Sequence, residues 1–192
     1  DHHVHSEWSV DWDRSTSPPT PIRGGDSPYT RSRNARQGQT FGLTWMVHTD
    51  HGGPGHSAVT RQHAWPALEQ ARRDVPALIQ FNGMEFDVPA AEHASLIIAP
   101  GPDERDQLVA IERDYSRSEP LQGSRDDGQT MLDALAHMRS LPAPPLMFIN
   151  HPARTATAMG RWGDVAPDEL RAWHAAAPQV LVGMEGAPGH QA

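Results

Sequence analysis

Short apolar runs that end in an imidazole or a carboxylate constrain this chain most. Leu43-Thr44-Trp45-Met46-Val47 leads to Thr49-Asp50-His51, and Ala77-Leu78-Ile79-Gln80-Phe81 ends at Gly83-Met84-Glu85. Pro145-Leu146-Met147-Phe148-Ile149 runs into Asn150-His151-Pro152, and Val180-Leu181-Val182 ends at Gly183-Met184-Glu185. A further run, Ser95-Leu96-Ile97-Ile98-Ala99, is stopped by Pro100-Gly101-Pro102. Continuous apolar runs of this length read as strands covered on both faces. Helices are predicted from Ser27-Pro28 to about Gln39, over 59–73, 103–113 and 130–139, and from Pro167 onward. Residues 13–26 read as a mobile loop and 114–128 as irregular chain. Strand–helix alternation predicts an α/β architecture with parallel strands, forming a single domain over residues 1–192. Enzymes of that architecture place their chemistry at the carboxyl ends of the strands, where these polar clusters fall.

The amino-terminal run Asp1-His2-His3-Val4-His5-Ser6 strengthens the pattern. In extended chain, alternate residues share a side, so Asp1, His3 and His5 project together and His2 points away. Neutral imidazole is the commonest protein ligand for transition metals. His3, His5, His51, Glu85, His93 and His151 are therefore candidate metal ligands, with Asp11 a possible oxygen donor folded back by a turn. Glu85 can bridge two cations, which a single imidazole cannot do. Asp50 is expected to orient an imidazole through a hydrogen bond. Arg154, close to His151, offers a planar fork suited to phosphate. His48 and His56 are expected at the rim; His63, His137 and His174 read as structural or surface residues.

Composition narrows the chemistry. The net charge of −8 disfavours broad binding to nucleic acid or an anionic membrane. No apolar stretch is long enough to span a bilayer, and no signal peptide is read in these residues, although the abrupt start at the His motif leaves room for a leader or a first strand ahead of Asp1. With no Cys, thiolate catalysis, disulfides and Cys-zinc sites are excluded. With no Lys, Schiff-base chemistry is excluded too. Gly52-Gly53-Pro54-Gly55 lacks the spacing of a nucleotide-binding loop, and no G-x-S-x-G motif marks a serine nucleophile.

Taken together, these clusters resemble the PHP family, named for polymerase and histidinol phosphatase domains. Its D-x-H-x-H-[ST] motif is matched by Asp1-His2-His3-Val4-His5-Ser6 and its T-D-H by Thr49-Asp50-His51. Its G-x-E followed by a histidine is matched by Gly83-Met84-Glu85 with His93, and its H-P by His151-Pro152. The stretches 83–93 and 182–191 are similar to a bacterial branch of that family with some exported members, so cytoplasmic and exported locations both stay open. The resemblance implies a distorted (β/α)7 TIM-like barrel of the PHP type. At 192 residues, against roughly 250 for a full barrel, this chain would be incomplete at one or both ends. It also implies two or three divalent transition metal ions (Zn, Mn or Fe) on His3, His5, His51, Glu85, His93 and His151, with Glu85 bridging. Asp11 matches a first-loop ligand position. One departure stands out: the family's closing D-x-H has no counterpart after Glu185. The chain is therefore expected to continue past Ala192, or His190 substitutes, or activity has been lost.

The expected activity is metal-dependent phosphoester hydrolysis of a small phosphorylated substrate. In it Arg154 would stabilise charge and His51 or a nearby imidazole would protonate the leaving group. Two alternatives are an amidohydrolase-like metallohydrolase and an inactive metal- or anion-binding module. The first commonly uses a carbamylated Lys, which this chain lacks.

Overall fold

The computed structural model describes residues 1–13, 15–17, 20–23, 25–91, 93–152 and 165–185. Its centre is one five-stranded mixed sheet in sequential order: β3 (Trp45–His48), β4 (Ile79–Asp87), β5 (His93–Ile97), β6 (Leu146–Ile149) and β7 (Leu181–Met184). A separate antiparallel hairpin, β1 (Val10–Asp13) and β2 (Thr20–Arg23), precedes it. The predicted mobile loop over 13–26 therefore contains a strand.

The expected (β/α)7 TIM-like barrel is not what forms. Among the described residues the sheet is open, and β5 runs antiparallel to both β4 and β6. The physical reason is connection length. Only residues 88–92 separate β4 from β5, whereas a parallel return needs a crossover of roughly a dozen residues or more. The polar cluster at Gly83-Met84-Glu85 concealed this, because it looked like a strand end. In the structure β4 continues through it to Asp87.

Helices α1 (Arg31–Thr40), α3 (Trp65–Asp74), α4 (Glu104–Tyr115), α5 (Gly128–Ser140) and α6 (Pro167–Ala176) lie close to the predicted spans. Local chemistry sets their starts. The Thr30 side chain accepts from Arg33 N at 3.1 Å, and Asp127 accepts from Thr130 N at 2.9 Å. Helix α2 (His56–Val59) joins α3 through a wide π turn, Thr60–Ala64. That turn ends two residues before Pro66, which has no N–H to offer the preceding turn.

The core sits on one face of the sheet. Met84, Phe86, Leu96 and Met147 pack with Leu108 and Ile111 of α4, Met131 and Leu135 of α5, and Trp173 of α6. Met46, Ala35, Val75 and Leu78 form a smaller cluster under α1 and α3. By strand alternation Glu85 lies on the opposite face, which it shares with Ile79, Phe81 and Gly83. Gly83 is required for close approach rather than for a bend. A Cβ there would lie 2.3 Å from Leu96 O and 2.7 Å from Val47 Cγ1.

His48, expected at the rim, is fully buried on β3, and Gln80 Oε1 accepts from its Nε2–H at 3.1 Å. Burial and the nearby Arg31 guanidinium push its pKa down to about 3, so it is held neutral.

Two outcomes follow. Gly83→Ala should cost roughly 2–4 kcal/mol through overpacking against backbone, read as a lower urea midpoint; an unchanged midpoint would refute the close-approach account. His48 has a folded pKa near 3 against an ordinary 6.5. Between those values the unfolded state binds the extra proton, so stability should rise with pH up to about 6.5 and then cease to depend on this group. His48→Gln should flatten that part of the stability–pH curve, and an unaltered slope would count against the buried neutral imidazole.

Candidate metal centre

Five extended segments bring the site together at one end of the sheet. Residues 1–5 run parallel beside β3: Val47 N donates to Asp1 O at 2.9 Å and Thr49 N to Val4 O at 2.9 Å. Val4 therefore packs toward the core, while His3 and His5 face Glu85. His51 follows β3 and pairs in parallel with Glu85, whose N–H donates to Asp50 O at 3.1 Å. His93 opens β5 and His151 follows β6. Because β5 runs antiparallel, its first residue reaches the same edge as the last residues of β4 and β6.

The centre is the Glu85 carboxylate, 1 % exposed. Its Oε2 lies 3.0 Å from His3 Nε2, 2.9 Å from His5 Nε2 and 3.1 Å from His51 Nε2. Its Oε1 lies 3.2 Å from His151 Nε2 and 3.3 Å from His93 Nδ1, and accepts from Asn150 Nδ2 at 3.1 Å. The imidazoles form an arc: ring centroids are 4.9 Å apart for His3 and His5, 4.6 Å for His5 and His51, 4.9 Å for His51 and His93, and 5.4 Å for His93 and His151. His151 has a positive φ of 29°, an uncommon conformation for a non-glycine residue and of the kind that clusters at functional sites.

This donor set fits a metal. Glu85 Oε2 is buried and, for all the nitrogen atoms near it, makes no well-directed hydrogen bond. His3 Nε2 and His5 Nε2 face each other at 3.0 Å while both approach that oxygen. Donor atoms on a tetrahedral cation with bonds of about 2.0–2.1 Å would be roughly 3.3 Å apart, close to these separations. Among the described residues, three ligand groups have donor atoms close enough to share an ion: His3, His5 and Glu85; His5, Asp26 and His51; His51, Glu85 and His93.

Two participants were missed from sequence. Asp26 Oδ2 contacts His5 Nδ1 and accepts from Ser9 Oγ at 2.6 Å; Ser9 Oγ in turn accepts from His51 N at 2.9 Å. Asp26 lay in the supposed mobile loop, where nothing in its neighbours marked it. Glu185 Oε1 lies 3.2 Å from His3 Nδ1, and its Oε2 accepts from His151 N at 2.8 Å. A signal existed for this one, because Gly183-Met184-Glu185 repeats Gly83-Met84-Glu85.

The other predicted residues fall as follows. Asp11 is exposed on β1 and lines a neighbouring cavity; it is outside the three ligand groups, and Asp26 is the acid that reaches His5 and His51. Asp1 Oδ1 accepts from His3 N at 3.1 Å, steadying the strand rather than joining a ligand group. Asp50, expected to orient an imidazole, instead anchors Ser6 and a buried arginine. It accepts from Ser6 Oγ at 2.8 Å and from Arg31 Nη2 at 2.7 Å, with both Asp50 and Arg31 2 % exposed. His56 is buried rather than at the rim: its Nδ1 lies 2.6 Å from Glu112 Oε1 and its Nε2 3.0 Å from Trp8 O. Arg154 and His190 lie outside the described residues.

Electrostatics divide the histidines. Burial opposes charge on His5, but Asp26 and Glu85 outweigh it and raise its pKa to about 10. Burial, with His5 and His93 nearby, drops His51 to about 4, which suits a lone-pair donor rather than a proton donor. Burial also works against the Glu85 carboxylate, yet the surrounding imidazoles hold its pKa well below the ordinary range. The hydrogen bond from His5 takes Asp26 down to about 2.

Beside His51 and His93 opens a cavity of about 750 Å³, walled on its far side by the chain after α4, including Arg117 and Asp126. Arg117 Nη2 donates to Asp87 Oδ1 at 2.6 Å, and its Nη1 donates to Ala91 O.

A cation that takes the His5 lone pair must displace a proton. Uptake of Zn or Mn should therefore release protons near pH 7 and tighten as pH rises. Calorimetry in two buffers of different ionisation enthalpy would measure this, and equal heats in both would contradict the assignment. In comparisons with known proteins, no family model, no curated protein and no solved structure matches this chain.

Proposed function

We propose that this chain is a metal-dependent hydrolase acting on phosphoesters. The observation that carries the reading is the convergence of five imidazoles, from four separate segments, on one buried carboxylate. Glu85 turns Oε2 toward His3, His5 and His51, and Oε1 toward His93 and His151, so these residues together would hold the divalent cations. Bound divalent cations supply Lewis acidity toward a phosphoryl oxygen and bring the pKa of a water to near neutrality. Zn, Mn and Fe all suit mixed imidazole and carboxylate donors.

The remaining steps belong to the chain. Asp26 and Glu185 hold the far nitrogens of His5 and His3, orienting both rings toward Glu85. Ser9 couples Asp26 to the backbone of His51. The motif order Asp-x-His-x-His-Ser, Thr-Asp-His, Gly-x-Glu and His-Pro supports the PHP resemblance as the source of this chemistry. The assignment is to that chemistry, on an open mixed sheet. The net negative charge and the absence of Cys and Lys leave cation-assisted hydrolysis as the simplest use of such a site.

Protein supplied with Zn, Mn or Fe should hydrolyse p-nitrophenyl phosphate or bis-p-nitrophenyl phosphate. His5→Ala and Glu85→Ala should each lower kcat/KM by about 100-fold or more, on the order of 3 kcal/mol in transition-state stabilisation, with parallel loss of bound metal. No turnover of either ester above the Glu85→Ala background would defeat the proposal.

A further inference from the structure

The cavity next to His51 and His93 carries information about the leaving group. Among the described residues its wall holds one guanidinium, Arg117, and three carboxylates, Asp11, Asp87 and Asp126. Arg117 is already shared between Asp87, at 2.6 Å, and Asp126, at 4.0 Å, and is bound to Ala91 O, so its single charge is met inside the wall with two carboxylates against it. Asp11 and Asp126 are exposed. Asp126 Oδ1 accepts from Ala90 N at 3.0 Å, which fixes the carboxylate beside the cavity at a turn where Ala90 itself has a φ of 64°. Pro54 and Leu121 add apolar surface to the same wall.

A ligand entering this space therefore meets acceptor oxygens and apolar patches, with no unpaired positive charge from the described wall. A second anionic group on a substrate would face like charge there, whereas hydroxyls would find acceptors. We infer that this cavity is a leaving-group pocket that selects esters of neutral, hydroxyl-bearing alcohols and rejects those whose alcohol carries its own anion, with Asp126 a specificity-determining residue. This rests on the reading that the phosphoryl group is held at the Glu85 cluster. Like charges juxtaposed at an interface suppress the wrong partner, and one unit charge at contact distance in a partly exposed site changes affinity on the order of tenfold.

The test compares two probes that share a phosphate and differ in the alcohol: glycerol 1-phosphate and 3-phosphoglycerate. Each is titrated by calorimetry into the Zn- or Mn-loaded protein and into Asp126→Arg, and turnover is followed separately. Wild type should bind glycerol 1-phosphate on the order of tenfold more tightly, and Asp126→Arg should erase or invert the preference. The inference is overturned by equal affinities, by tighter binding of 3-phosphoglycerate, by no binding of either, or by a preference unmoved in Asp126→Arg. Selective binding without hydrolysis would sustain the pocket assignment while defeating the phosphoesterase reading, so the two fail separately. Circular dichroism of Asp126→Arg, together with Asp126→Asn as a milder variant expected to narrow the preference, separates a charge effect from misfolding.

Discussion

A carboxylate buried at 1 % exposure and ringed by five imidazoles sets the terms for the rest of this molecule. Such a group is costly to bury unless opposite charge or a cation meets it. The chain supplies that charge from residues as far apart in sequence as His3 and His151. Every other arrangement near the site follows from delivering those rings. The amino-terminal strand lies beside β3 so that alternation places His3 and His5 on the same side. Asp50 and Arg31 lock the turn at Ser6, and Ser9 and Asp26 hold the next one. The strained backbone at His151 is tolerated because Glu185 accepts its N–H.

The open mixed sheet explains how so many donors meet without a barrel. Helices cover one face and build the core, which leaves the other face to carry Glu85. Antiparallel β5 brings its first residue to the edge where β4 and β6 end, so His93 arrives from the opposite chain direction and still meets His51 and His151. Gly83 permits the close packing of β3, β4 and β5 just before Glu85. The cavity that opens beside His51 and His93 is then the natural place for the part of a substrate that does not touch the cluster.

Particular residues show how much of the candidate cluster can be read along the chain. His3 and His5 were legible because a period of two is a property of extended chain and needs no tertiary information. His51, Glu85, His93 and His151 were legible because each flanks or interrupts an apolar run. Asp26 was not, because a lone acid in a Ser- and Pro-rich stretch carries no periodic signal. His48 and His56 were misplaced for a related reason: spacing says where a ring falls along the chain, and only packing says whether Gln80 or Glu112 waits for it in the interior. The barrel expectation failed at one point, the short link between β4 and β5, where a polar triplet inside a strand was read as its end.

By itself, the sequence determined the kinds of chemistry available: imidazole and carboxylate donors, no thiol, no amine nucleophile, and a net negative charge. It also located the helices and the strands of the central sheet, though not the β1–β2 hairpin or the full length of β4, because local periodicity and capping are properties of neighbouring positions. Tertiary structure alone decided strand direction, the open edge of the sheet, the recruitment of Asp26 and Glu185, and which histidines are buried inside the fold. Those depend on contacts between residues far apart in the chain, whose free energy is set by burial and by which partner is within reach.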